Sequence, residues 1–99
     1  MPDVYRFEFK HDIPAREIED ALFWAVFNTE SVFGKAKVRL DAKFEYEHRK
    51  KICEIATGTE VGEHIAKMFT TLAATKFGES AFHVERVEKK EEGHGNSKP

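Results

Sequence analysis

The chain has 99 residues, 40% hydrophobic and 34% charged, with nine phenylalanines, a composition that suits one domain with a modest core and argues against disorder. Its net charge of −2, from 16 basic and 18 acidic residues, lacks the cationic excess of a nucleic-acid binder. The single cysteine, Cys53, excludes an internal disulfide framework.

The opening MPDVYRFEFK lacks the apolar core of a signal peptide, and no run reaches membrane-spanning length. A cytoplasmic protein with no membrane partner is therefore expected. Residues 4–10 alternate, with Tyr5, Phe7 and Phe9 on one side and Arg6, Glu8 and Lys10 on the other. This is the pattern of a half-buried strand. A helix of about five turns follows. Asp12 or Ile13 caps it, Pro14 lies in its first turn, early acids suit its dipole, and Gly34 ends it.

Residues 35–47 alternate charged and uncharged side chains without a slip, which predicts one long strand of about 43 Å. Residues 48–51 form a turn, and 52–57 a returning strand that pairs Glu47 with Ile52. Thr57 to Glu60 has the capping-box form, opening a helix that Gly78 ends. Residues 81–88 read as the last strand, and 89–99 as a disordered polar tail outside a single domain of residues 1–88.

The order β-α-β-β-α-β predicts a ferredoxin-like α+β sandwich. Its four-stranded antiparallel sheet has the expected order 4-1-3-2, with both helices on one face. The apolar parity of each strand lies beneath them: Tyr5, Phe7, Phe9; Val38, Leu40, Phe44, Tyr46; Cys53, Ile55; Phe82, Val84. The other face carries Arg6, Glu8, Lys37, Arg39, Asp41, Lys43, Glu45, Glu47, Glu54, His83 and Glu85, mixed in sign and near balance. A solvated face with cross-strand ion pairs is expected there. RNA-recognition domains share this topology but place stacking aromatics on that face; here the aromatics have core parity, so no nucleic-acid partner is expected.

Residues 35–40 exceed the reach of the short returning strand. They therefore bend, stay unpaired behind charges, or pair with another chain at the sheet edge. On the first helix Ile18, Ala21, Leu22, Ala25, Val26, Thr29, Val32 and Phe33 form the core stripe. Phe23 and Phe27 fall opposite, with Trp24 on the flank. Either the tail or a rotated helix covers them, or they form a protein interface, most simply a two-fold homodimer. The second helix presents Val61, Ile65, Met68, Phe69 and Leu72, beside a small-residue edge of Gly62, Ala66 and Ala73 suited to close helix approach.

No reactive constellation stands out. His11, His48, His64, His83 and His94 lack metal-pair spacing, and Cys53 has core parity without an evident base. No catalytic residue, metal site or cofactor is expected. The TGTEVG turn lacks a lysine for phosphate, and Glu60 and Glu63 repel anions. The leading expectation is a small self-associating interaction or assembly module. The alternative is a small-molecule-binding or catalytic domain whose site forms between subunits.

Overall fold

A computed structural model describes residues 3–88; the expected tail at 89–99 lies outside the described residues. Strand β1 (Asp3–Phe9) leads to helices α1 (Ala15–Phe33) and α2 (Lys35–Asp41). Strands β2 (Phe44–Glu47) and β3 (Ile52–Ala56), helix α3 (Glu60–Phe77) and strand β4 (Phe82–Glu88) follow. The sheet is antiparallel in the order β2-β3-β1-β4, the order expected from the strand sequence.

Burial follows the first strand's parity except at Val4, which is buried on the opposite one. Phe7, Phe9, Cys53 and Ile55 are buried, and Tyr5, Tyr46, Phe82 and Val84 pack partly against them. From α1 and α3, Ile18, Leu22, Ile65 and Phe69 join the same cluster. Phe7 sets its edge on Phe69, with ring centroids 4.8 Å apart and planes at 79°. Phe9 stacks on Phe82 at 5.3 Å and meets Phe77 edge-on at 5.8 Å. Such arrangements suit the ring quadrupoles and add to the area that the rings bury.

The long strand at 35–47 is not present. Residues 35–41 are helical, and only 44–47 are strand. Gly34, at φ +92°, separates α1 from α2, a conformation that L side chains rarely adopt. The segment KAKVRLD contains only one β-branched residue, and Lys, Ala, Arg and Leu all favour helix. At 100° per residue Ala36 and Leu40 fall together and Val38 opposite. Val38 accordingly enters the core at 3% exposure, whereas Leu40 is 78% exposed. Lys37 Nζ and Asp41 Oδ2 close an i,i+4 pair at 3.0 Å.

Leu40 is thus not a core residue, and Phe44, on the edge strand, is 41% exposed. With 35–41 wound into helix, the expected edge at 35–40 and any pairing with another chain through it fall away. Urea unfolding of single variants separates helix from strand here. Val38→Ala is expected to lose about 2 kcal/mol, and Leu40→Ala to stay within about 0.5 kcal/mol. A strand would bury both side chains, and equal losses would contradict the helix.

Element ends show smaller corrections. Pro14 holds the N-cap position of α1, in place of Asp12 or Ile13, and makes no side-chain cap bond. Thr59, not Thr57, caps α3, its Oγ1 accepting from the Gly62 N–H at 3.0 Å. Thr57 instead donates to the Asp3 carbonyl at 3.2 Å. Gly62 lies with its missing side chain toward β3, where a Cβ would meet the Ala56 carbonyl. The turn pairs Glu47 with Ile52 as expected. Lys51 adopts φ 56° in that turn, and its ammonium donates to the carbonyls of His11 (2.6 Å) and Ile13 (2.7 Å).

Candidate interaction surface

α1 is an amphipathic helix with a second apolar patch on its far side. Ile18, Ala21, Leu22, Ala25 and Thr29 are buried, so α1 is not rotated from the orientation that its periodicity implies. Val32, expected in the core stripe, is exposed. The last turn docks on α3 through neighbours instead: Phe33 meets the His64 ring at 5.6 Å. Thr29 Oγ1, which donates to the Ala25 carbonyl at 2.7 Å, lies 2.8 Å from His64 Nδ1. His64 is therefore a helix-packing residue.

Phe23, Trp24 and Phe27 are 59%, 50% and 52% exposed. Phe23 and Phe27, one turn apart, stack with centroids 6.1 Å apart and planes at 11°. Trp24 stands edge-on to both, at 5.5 and 5.6 Å. The Trp24 carbonyl accepts from Asn28 Nδ2 at 2.8 Å, and Ser31 Oγ donates to the Asn28 carbonyl at 2.6 Å. The three rings form one contiguous aromatic platform on α1. Arg16 and Glu30, on the same side by helical spacing, form no ion pair among the described residues.

The uncovered sheet face differs from its expected balance. Lys37, Arg39 and Asp41 belong to α2, which leaves Glu45, Glu54 and Glu85 in one cross-strand row with Arg6. Arg6 Nε donates to Glu54 Oε2 at 2.8 Å, and its Nη1 lies 3.7 Å from Glu85. That hydrogen bond to Glu54 is the main cause holding the guanidinium above its usual pKa. Glu8 and Glu47 add further negative charge in the next row.

Sequence reasoning missed a groove of about 610 Å³ between α3 and the β1–β4 end of the sheet. Asp3, Tyr5, Thr57, Glu63, Lys67 and Arg86 line it. Arg86 has the parity of Phe82 and Val84, and a charge on a strand's core parity is the available signal. Its Nε donates to Asp3 Oδ2 at 3.1 Å, and Nη2 reaches the same oxygen. None of these residues belongs to the aromatic platform.

Cys53 is fully buried and its thiol is pushed up to about 12, chiefly by burial and then by Glu54. A thiol of that pKa is a poor nucleophile. Tyr46 Oη is buried without a hydrogen-bond partner among the described residues, and burial, then Glu19, raises its pKa. His48 Nδ1 lies 3.0 Å from Glu19 Oε2, and His83 Nε2 lies 3.7 Å from Glu85. Among the described residues no group of His, Cys, Asp or Glu side chains is placed to hold a metal ion, and no helix is long and apolar enough to cross a membrane. Comparison with protein-family models, curated proteins and solved structures finds no match for the chain.

Proposed function

We propose that the chain is a small cytoplasmic interaction or assembly module that associates with itself through α1. The observation that carries this reading is the platform of Phe23, Trp24 and Phe27, half or more exposed and in mutual ring contact. Exposed aromatic clusters on rigid elements are typical centres of protein interfaces. The strand order supports a ferredoxin-like arrangement in which α2 lengthens the first crossover. A free, buried Cys53 suits a reducing compartment. The acidic row around Arg6 disfavours a polyanion on the open sheet face.

Phe23→Asp combined with Phe27→Asp puts carboxylates at the centre of that contact. Light scattering is expected to give the wild type twice the 11.4 kDa chain mass. The double variant keeps its circular dichroism and scatters as a single chain, with dissociation at least about 100-fold easier. A wild type that stays at single-chain mass at high concentration refutes the proposal.

A second reading, a small-molecule-binding or catalytic domain with its site between subunits, draws on the Arg86 groove. It stands lower because the groove shares no residue with the platform, so association through α1 contributes nothing evident to it.

A further inference from the structure

The arrangement of charge along α1 specifies how a second copy would lie on it. Arg16, Phe23 and Glu30 are spaced by seven residues. An α-helix drifts only about 20° per heptad, so the three fall along one line, with each charged residue about 10.5 Å along the helix axis from Phe23. Phe23 is the midpoint of the line, with the cation toward one end of the helix and the anion toward the other.

Resting on the reading of the platform as a self-association surface, we infer that two copies pair α1 against α1 in antiparallel, two-fold fashion. The axis passes by Phe23, and Arg16 of each copy meets Glu30 of the other. A two-fold axis at Phe23 carries residue 16 onto 30, so the symmetry makes the ion pair twice. A parallel pairing would set Arg16 against Arg16 and Glu30 against Glu30, two repulsions at the rim of an apolar contact. Two further acids lie on this face. Asp20 falls opposite Val26, and Glu19, which falls opposite Phe27, is held by His48 at 3.0 Å.

Area points the same way. Three half-exposed aromatic side chains supply on the order of 300 Å² per copy, whereas a stable interface takes about 800 Å² from each partner. The platform is therefore the centre of the contact and needs the helix on both sides of it. Centring on Phe23 engages two turns of α1 in each direction. The two Phe23 rings then meet at the axis, flanked by Trp24 and Phe27 of each copy, which excludes water from the middle while the ion pairs remain at the rim.

Charge reversal tests this by sedimentation equilibrium on the full chain. Arg16→Glu alone and Glu30→Arg alone should each raise the dimer dissociation constant by about tenfold or more, since each turns both attractions into repulsions. Mixing the two variants should restore the wild-type constant within about threefold. In that heterodimer the two substituted side chains oppose each other with opposite charge, and the native Arg16 of one copy meets the native Glu30 of the other. The mixture also guards against misfolding, which it could not repair. If the single variants dimerise as the wild type does, or if mixing fails to recover the dimer, the antiparallel register is wrong. The self-association reading survives that result so long as Phe23→Asp with Phe27→Asp still gives single chains. A wild type that is already a single chain removes both.

Discussion

Phe7→Ala is expected to lower the free energy of unfolding by about 3–5 kcal/mol, a larger loss than truncating Val38 brings. Phe7 is fully buried at the middle of the central strand β1. It stands in register with Cys53 on one side and Val84 on the other, and its ring meets Phe69 at 4.8 Å and Phe82 at 6.3 Å. Strands on both flanks and α3 above leave no neighbour free to collapse into the space, so the cavity adds to the lost transfer energy. Domains of this size hold on the order of 5–15 kcal/mol in total, so the loss is a large fraction of stability. Phe27→Ala removes the same ring from a half-exposed site on α1 and gains helix propensity. Measured at dilution, where any dimer has dissociated, it should cost under about 1 kcal/mol. Urea midpoints for the two variants give the contrast directly. If the two losses are similar, the burial assigned to β1 is wrong.

That contrast rests on features legible in the sequence. Alternation around Phe7 and Phe9 marks the core face of β1, and the same parity at Cys53 and Ile55 extends it across the sheet. The order of elements, with strands paired around two crossovers, is enough to give β2-β3-β1-β4. The helical period separates Ile18, Ala21, Leu22 and Ala25 from Phe23 and Phe27, and the structure keeps that separation.

Residues 35–41 mislead because alternation over so short a stretch does not distinguish the two conformations when only one side chain is buried. As a strand, Val38 and Leu40 share a face. As a helix, they part, and one inward valine is sufficient to dock so short an element. Good helix formers and a glycine at position 34 are the available counter-signals. This one segment changes the charge of the sheet face, because Lys37 and Arg39 leave it and Glu45, Glu54 and Glu85 remain around Arg6. A cross-strand row depends on register, which no single segment reveals. The Asp3–Arg86 pair joins residues 83 apart in sequence, and only the β1–β4 ladder brings them together.

Gly62→Ala carries the other large expected loss, and its sign opposes local propensity. Alanine in a helix is normally favoured over glycine by about 1 kcal/mol. At Gly62, however, an added Cβ would overlap the Ala56 carbonyl oxygen and crowd its carbon at 3.1 Å and the Thr57 Cα at 3.4 Å. These are backbone atoms at the end of β3, which pairs with both β1 and β2, so they cannot swing aside as a flexible side chain would. Relief requires α3 to lift from the sheet, straining the contact of Phe69 with Phe7 and the cap bond from the Gly62 N–H to Thr59. The net loss is expected to be about 2 kcal/mol, seen as a fall of about 10 °C in melting temperature for a domain of this size. Gly58→Ala, four residues earlier, meets open space and no positive φ. It should leave the melting temperature unchanged or raise it slightly by restricting the unfolded chain. The pair of melts therefore reads the approach of α3 to β3, and a Gly62→Ala protein that melts no lower than Gly58→Ala would place the start of α3 farther from the sheet.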